Sequence, residues 1–100
     1  MSVIVTMRVS GDTAQFRRWV ESSGDFMRKI RGDAQAVGCI HHRFGVGDGF
    51  VIIVDEWDSV ESFQKFFQTN EDIPRAMQEA GAQGEPEFTF AEAISTADQF

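Results

Sequence analysis

Residues 38–57 read GCIHHRFGVGDGFVIIVDEW, and how this stretch pairs with itself decides the fold. Gly47-Asp48-Gly49 separates two segments rich in β-branched and aromatic residues, and Asp-Gly is a strong short-range hairpin signal. Residues 39–46 and 50–57 are therefore expected as antiparallel strands. With Asp48-Gly49 at the centre of the turn, Gly47 faces Phe50. Phe44 then meets Ile53, Arg43 meets Val54, His42 meets Asp55, His41 meets Glu56 and Ile40 meets Trp57. Side chains alternate between faces along a strand. One face should carry Ile40, His42, Phe44, Val46, Val51, Ile53, Asp55 and Trp57. The other should carry Cys39, His41, Arg43, Phe50, Ile52, Val54 and Glu56.

The two histidines thus point to opposite faces and cannot readily ligate one metal. The chain holds no further histidine and a single thiol, too few for convergent zinc ligands. No metal site is expected. His42 opposite Asp55 has two readings. The carboxylate could fix the imidazole tautomer and raise its basicity, making an oriented general base. It could equally be a cross-strand pair satisfying two partly buried polar groups. Trp57 is a core residue at the strand end that could also wall a pocket.

Working outward, VIVTMRV (residues 3–9) alternates Val5, Met7 and Val9 against Ile4, Thr6 and Arg8, which reads as a strand. Asp12 is placed to cap a helix, with Gln15 three residues on. Phe16, Trp19, Val20, Met27, Ile30, Ala34 and Val37 recur on one helical face, with a bend or break expected at Gly24-Asp25. Asp58 is expected to cap the next helix, with Glu61 at its third position. Phe63, Phe66 and Phe67 form that helix's apolar side. Asn70 to Pro74 interrupts it, Ile73, Met77 and Ala80 face inward after the interruption, and Gly81 stops it. EFTFAEAI (87–94) is the last strand, with Phe88, Phe90, Glu92 and Ile94 on one side; 95–100 reads as a flexible acidic tail. Arg8 and Glu92 are candidate pocket polars on the first and last strands. The order β-α-β-β-α-β is the ferredoxin-like arrangement, an α+β fold with a four-stranded antiparallel sheet and its helices on one face.

FVIIV (50–54) does not alternate apolar with polar, so the strand is apolar on both faces. Two helices cover only one face of a four-stranded sheet. Burial contributes roughly 25 cal/mol per Å², so covering the second face is worth several kcal/mol. A second copy of the same sheet is the simplest cover, and a homodimer is expected.

Composition narrows the partners. One hundred residues, 42% hydrophobic and 25% charged, suit one soluble domain. A net charge of −7 argues against nucleic acid. The basic residues Arg17, Arg18, Arg28, Lys29 and Arg31 are interleaved with Glu21, Asp25 and Asp33, which reads as a solvated helix face. No apolar run approaches the roughly 18 residues of a membrane span. The single cysteine and the absence of a signal-peptide pattern fit a cytoplasmic setting. Gly45, Gly47 and Gly49 lie in a hairpin and do not open a helix, so no phosphate loop is expected. No nicotinamide, flavin or nucleophile-elbow motif is present, and no cofactor is expected.

The strand ending VDEW, followed by DSVESFQKFF (58–67), AMQEAG (76–81) and the upstream GCIHHRFG (38–45), resembles the antibiotic-biosynthesis-monooxygenase-like family of the dimeric α+β barrel superfamily. The resemblance implies a homodimer with two facing sheets and a pocket between sheet and helices or within the barrel. Some relatives oxidise aromatic polyketides with molecular oxygen and no cofactor, others degrade heme, and others have no known reaction; the activity expected here is a cofactor-independent oxygenase or isomerase acting on a small aromatic or apolar molecule. His42 would be the base, Asp55 its orienter, and Trp57, Arg8, Phe44 and Glu92 the substrate contacts. Two differences stand out. Heme-degrading relatives use a histidine on the second helix, and residues 59–81 contain none. Quinone-forming relatives are associated with Tyr, Asn, Trp and Arg; Tyr is absent here, and Trp57 with Arg8 or Arg43 would stand in. The alternative is a non-catalytic ligand-binding or structural homodimer.

Overall fold

The central hairpin forms in the expected register over most of its length. The computed structural model describes all residues 1–100, and pairs His41 with Glu56, His42 with Asp55, Arg43 with Val54, Phe44 with Ile53 and Val46 with Val51. Gly47 N–H donates to the Phe50 carbonyl at 2.9 Å, and Gly49 takes φ +80°, a conformation glycine adopts without strain.

One expectation fails at the end of the ladder. Trp57 pairs with Cys39, not Ile40, because the register shifts between Cys39 and His41. The extra residue is a bulge. It returns Cys39 to the inner face, where it packs on Trp57's cluster, and leaves Ile40 47% exposed.

The elements are β1 (Val3–Gly11), α1 (Thr13–Ser22), α2 (Gly24–Ala36), β2 (Cys39–Val46), β3 (Phe50–Trp57), α3 (Val60–Thr69), α4 (Asp72–Glu79) and β4 (Ala82–Glu92). The sheet order is β2-β3-β1-β4, antiparallel throughout. This is the ferredoxin-like α+β fold. All four helices lie on the face that carries Val5, Met7 and Val9 of β1 and Val51 and Trp57 of β3.

Two of the four helices, α1 and α3, begin at a side-chain cap. Asp12 accepts the Gln15 N–H at 3.1 Å and starts α1. Ser23, at φ −122° and ψ 28°, breaks the helix before Gly24. The apolar stripe resumes after the break with Met27, Ile30 and Ala34 against the sheet. Phe16, Trp19 and Ala34 are buried, but Val20 and Val37 face solvent. At α3 the cap is Ser59, whose hydroxyl accepts the Ser62 N–H at 3.1 Å, and not the expected Asp58. Asp58 is drawn back to the α2–β2 connection, where its N–H donates to the Gly38 carbonyl at 2.9 Å.

β4 starts five residues earlier than its alternation indicated. Ala82 and Gln83 pair with Gly11 and Ser10, and the register then shifts. Phe90 pairs with Val5, Phe88 with Met7 and Glu92 with Val3, so all three share the helix-facing row. Ile94 lies beyond the strand and is 73% exposed. Residues 95–100 hold no helix or strand. No helix is long and apolar enough to cross a membrane.

Candidate functional site

Two separate groups of buried side chains join helices to sheet. One is Val5, Ala34, Trp57, Phe63 and Phe66; the other is Val9, Phe16, Trp19 and Val51. Met7 sits on β1 between Val5 and Val9, opposite Ile53, and belongs to neither group. Between the two half-cores is a cavity of about 600 Å³, with Met7 and Ile53 among its walls. That volume lies within the range of small-molecule sites. Its lining is mostly apolar, with Trp19, Met27, Phe44, Phe66 and Met77 contributing from both layers.

Three polar side chains on the sheet wall are connected. His42 Nδ1 lies 2.7 Å from Asp55 Oδ1, and Trp57 Nε1–H donates to Asp55 Oδ2 at 3.0 Å. All three residues line the cavity. Strand alternation makes the set possible: Asp55 and Trp57 are two apart on β3, and His42 is the cross-strand partner of Asp55. Asp55 is the one charged residue buried in the chain. An ionised carboxylate only accepts hydrogen bonds, so the nitrogen facing it must carry the proton. Neutral His42 is therefore the Nδ1–H tautomer, and its Nε2 lone pair is left unbonded. The Phe44 ring meets the imidazole edge-on at 4.9 Å and limits its rotation. The His42 side chain remains 42% exposed, at the border of the cavity.

Cys39 stands beside this group. Its thiol is pushed up to about 11, first by burial and then by the Asp55 charge. It is a protonated thiol at neutral pH, not a ready nucleophile.

The other candidates fall elsewhere. Trp57 and Phe44 line the cavity. Arg8 pairs with Ile52 on the opposite face of the sheet, its guanidinium 3.8 Å from the centre of the Phe50 ring. It cannot reach the cavity. Glu92 ends β4 opposite Val3, exposed and outside the cavity lining. Arg43 borders the cavity from the edge strand, but alternation assigns it to the face of Val54.

Sequence reasoning missed two features. The Trp57 indole was not read as the second donor to Asp55, although i, i+2 spacing puts both on one face. Arg28, Arg31 and Gln35 of α2 stay exposed, as the solvated helix face expected, yet they also border the cavity. Their spacing of three and four places them on one stripe, a signal that was in the sequence.

No known family profile matches the chain, and no curated protein matches it in sequence. Solved structures do match. A monooxygenase from the gene ActVA-Orf6 of Streptomyces coelicolor, solved with nanaomycin D, superposes with a TM-score of 0.70 at 15% identity, covering 99% of this chain and 93% of that one. SnoaB, a cofactor-independent oxygenase from Streptomyces nogalater, gives 0.65 at 16% identity, with 98% of each chain covered. A dimeric ferredoxin-like protein from an uncultured marine organism gives 0.66 at 13% identity, covering 99% and 93%. At such identities the likeness establishes the fold alone: this chain has the ferredoxin-like fold shared by structures described as a monooxygenase, a cofactor-independent oxygenase and an antibiotic biosynthesis monooxygenase.

Proposed function

We propose that the chain is a cofactor-independent oxygenase or isomerase acting on a small aromatic or apolar molecule, and that it works as a homodimer. The observation that supports this most is the split core: an apolar cavity of about 600 Å³ bordered by a histidine whose tautomer a buried carboxylate fixes. His42 Nε2 takes the acidic proton of a phenol, enol or activated CH₂ group. Asp55 stabilises the resulting imidazolium, and Trp57 holds Asp55 in place. The electron pair left behind spreads over the aromatic system. In isomerisation, the proton returns from His42 to a different carbon. In oxygenation, the carbanion adds molecular oxygen and the peroxide takes the proton back. Loss of water then leaves a carbonyl, so that CH₂ plus O₂ becomes C=O plus H₂O.

Homodimerisation is supported by the uncovered sheet face. Ile4, Phe50, Ile52 and Val54 share it, and Ile4 and Val54 are 40% and 44% exposed. One matching structure is described as dimeric.

The activity is tested by oxygen uptake and by solvent-deuterium exchange with anthrone and hydroxynaphthalenes. Turnover or exchange that falls at least 100-fold in His42→Ala supports the reading. Turnover unchanged in that variant removes the proposed base. No turnover or exchange with any compound, together with tight retention of an apolar ligand, would favour the non-catalytic binding protein.

A further inference from the structure

The chain carries a net charge of −7, yet the α2 border of the cavity is basic. Arg28, Arg31 and Gln35 line it along one stripe of α2, within the same cavity as His42. All three are exposed at the cavity's rim; Arg28 pairs with Asp25 at 2.6 Å, while Arg31 has no ion-pair partner. The lining contains only two carboxylates. Asp55 is occupied by His42 and Trp57, and Asp12 caps α1 at the far end of β1. Nothing acidic in the wall therefore answers the free guanidinium of Arg31. A planar guanidinium beside a largely apolar cavity suits a planar or tetrahedral oxyanion attached to an apolar body.

We infer that the ligand of this cavity is an aromatic molecule bearing one anionic group, a carboxylate or sulfonate-like oxyanion held by Arg31 and Arg28 with Gln35 as a further donor. This rests on the reading of the cavity as the substrate site. The aromatic body lies over Met7 and Ile53 between the half-cores, and the anion anchors at α2. The anchor fixes which edge of the ring system meets His42.

Two probes that share an aromatic body and differ in charge test this: 8-anilinonaphthalene-1-sulfonate and neutral N-phenyl-1-naphthylamine. Their fluorescence is titrated against the full chain, the double variant Arg28→Gln/Arg31→Gln, a control Arg17→Gln/Arg18→Gln, and Ile53→Phe, which narrows the cavity. The inference predicts that the α2 double variant weakens the sulfonate about tenfold or more. The neutral probe should change less than about twofold, the control should change neither, and Ile53→Phe should weaken both. Equal effects on the two probes, or none on the sulfonate, overturn the anion anchor. If Ile53→Phe still weakens the neutral probe, the cavity reading survives that loss. Binding of both probes that is indifferent to Ile53→Phe places them outside the cavity and removes the inference together with its premise.

Discussion

Asp55 holds one carboxylate between two donors, His42 and Trp57, each within 3.0 Å. No buried side-chain polar atom in the chain lacks a partner, so the arrangement is fully satisfied and sensitive to a single atom. In Asp55→Asn the amide offers one acceptor and one donor to the two groups. If its oxygen keeps the Trp57 bond, its NH₂ faces Nδ1 and drives the histidine proton to Nε2, where the base is lost. The expected result is a loss of turnover of about 10²–10⁴-fold and an exchanged tautomer in the ¹⁵N spectrum of the ring. An unchanged tautomer would contradict this account of the pair. Cys39, beside the same carboxylate, carries a pH dependence. Burial and Asp55 raise its folded-state pKa to about 11 from an ordinary value near 9. Below about pH 9 the thiol is protonated in folded and unfolded chains alike, and its contribution to stability is fully present. That contribution is lost as pH rises from 9 through 11, because only the unfolded thiol ionises freely there. The urea midpoint should therefore fall over this window in the parent and fall less in Cys39→Ala. Iodoacetamide labelling of the folded chain should stay slow until pH approaches 11.

Among the elements, the α2–β2 connection is tight and also needs a left-handed residue. Gly38 takes φ +119°, and an added Cβ would lie 2.5 Å from the Asp58 carboxylate. Gly38→Ala meets both backbone strain and a clash, and should cost about 2 kcal/mol or more in denaturant unfolding. A loss below about 0.5 kcal/mol would show that the connection relaxes. This same region limits what the sequence discloses. The register from His41 to Phe50 followed from Gly47-Asp48-Gly49 because a two-residue turn sets every pair beyond it. The bulge at Ile40 had no local signal, since Cys39, Ile40 and His41 all suit a strand and the shift depends on what Trp57 packs against. Ser59 and Asp58 are adjacent and equally good caps, and only Asp58's bond to Gly38 decides between them. At β4, Gly84 and Pro86 masked a strand start at Ala82 that is held by the end of β1.

Across the whole molecule, element order and strand faces were readable because they rest on periodicity. The cavity was not, because spacing reports direction and not distance. Phe16, Trp19, Phe63 and Phe66 read as continuous inner stripes, yet they pack as two groups with a gap over Met7. The His42–Asp55 contact was readable from the register; the α2 stripe of Arg28, Arg31 and Gln35 was readable from spacing, but its place beside the cavity depends on how helix packs on sheet. Arg8 was separable from the pocket in advance, since it alternates against Val5, Met7 and Val9. The outer face leads to a further expectation. Val54→Glu introduces a charge among Ile4, Phe50 and Ile52, and should convert the proposed dimer to monomer in sedimentation at micromolar concentration. A parent that sediments as a stable monomer would contradict the homodimer.

A ligand in the gap between the two half-cores would touch the inner methionines first. Met7, Met27 and Met77 all line this gap, whereas Met1 is 90% exposed at the chain start. A ¹³C-methyl methionine spectrum titrated with N-phenyl-1-naphthylamine reads the cavity and its exterior together. Met7, Met27 and Met77 should shift saturably with one shared affinity while Met1 stays fixed. Three unmoved inner methyl signals at saturating probe would contradict a ligand site between the half-cores.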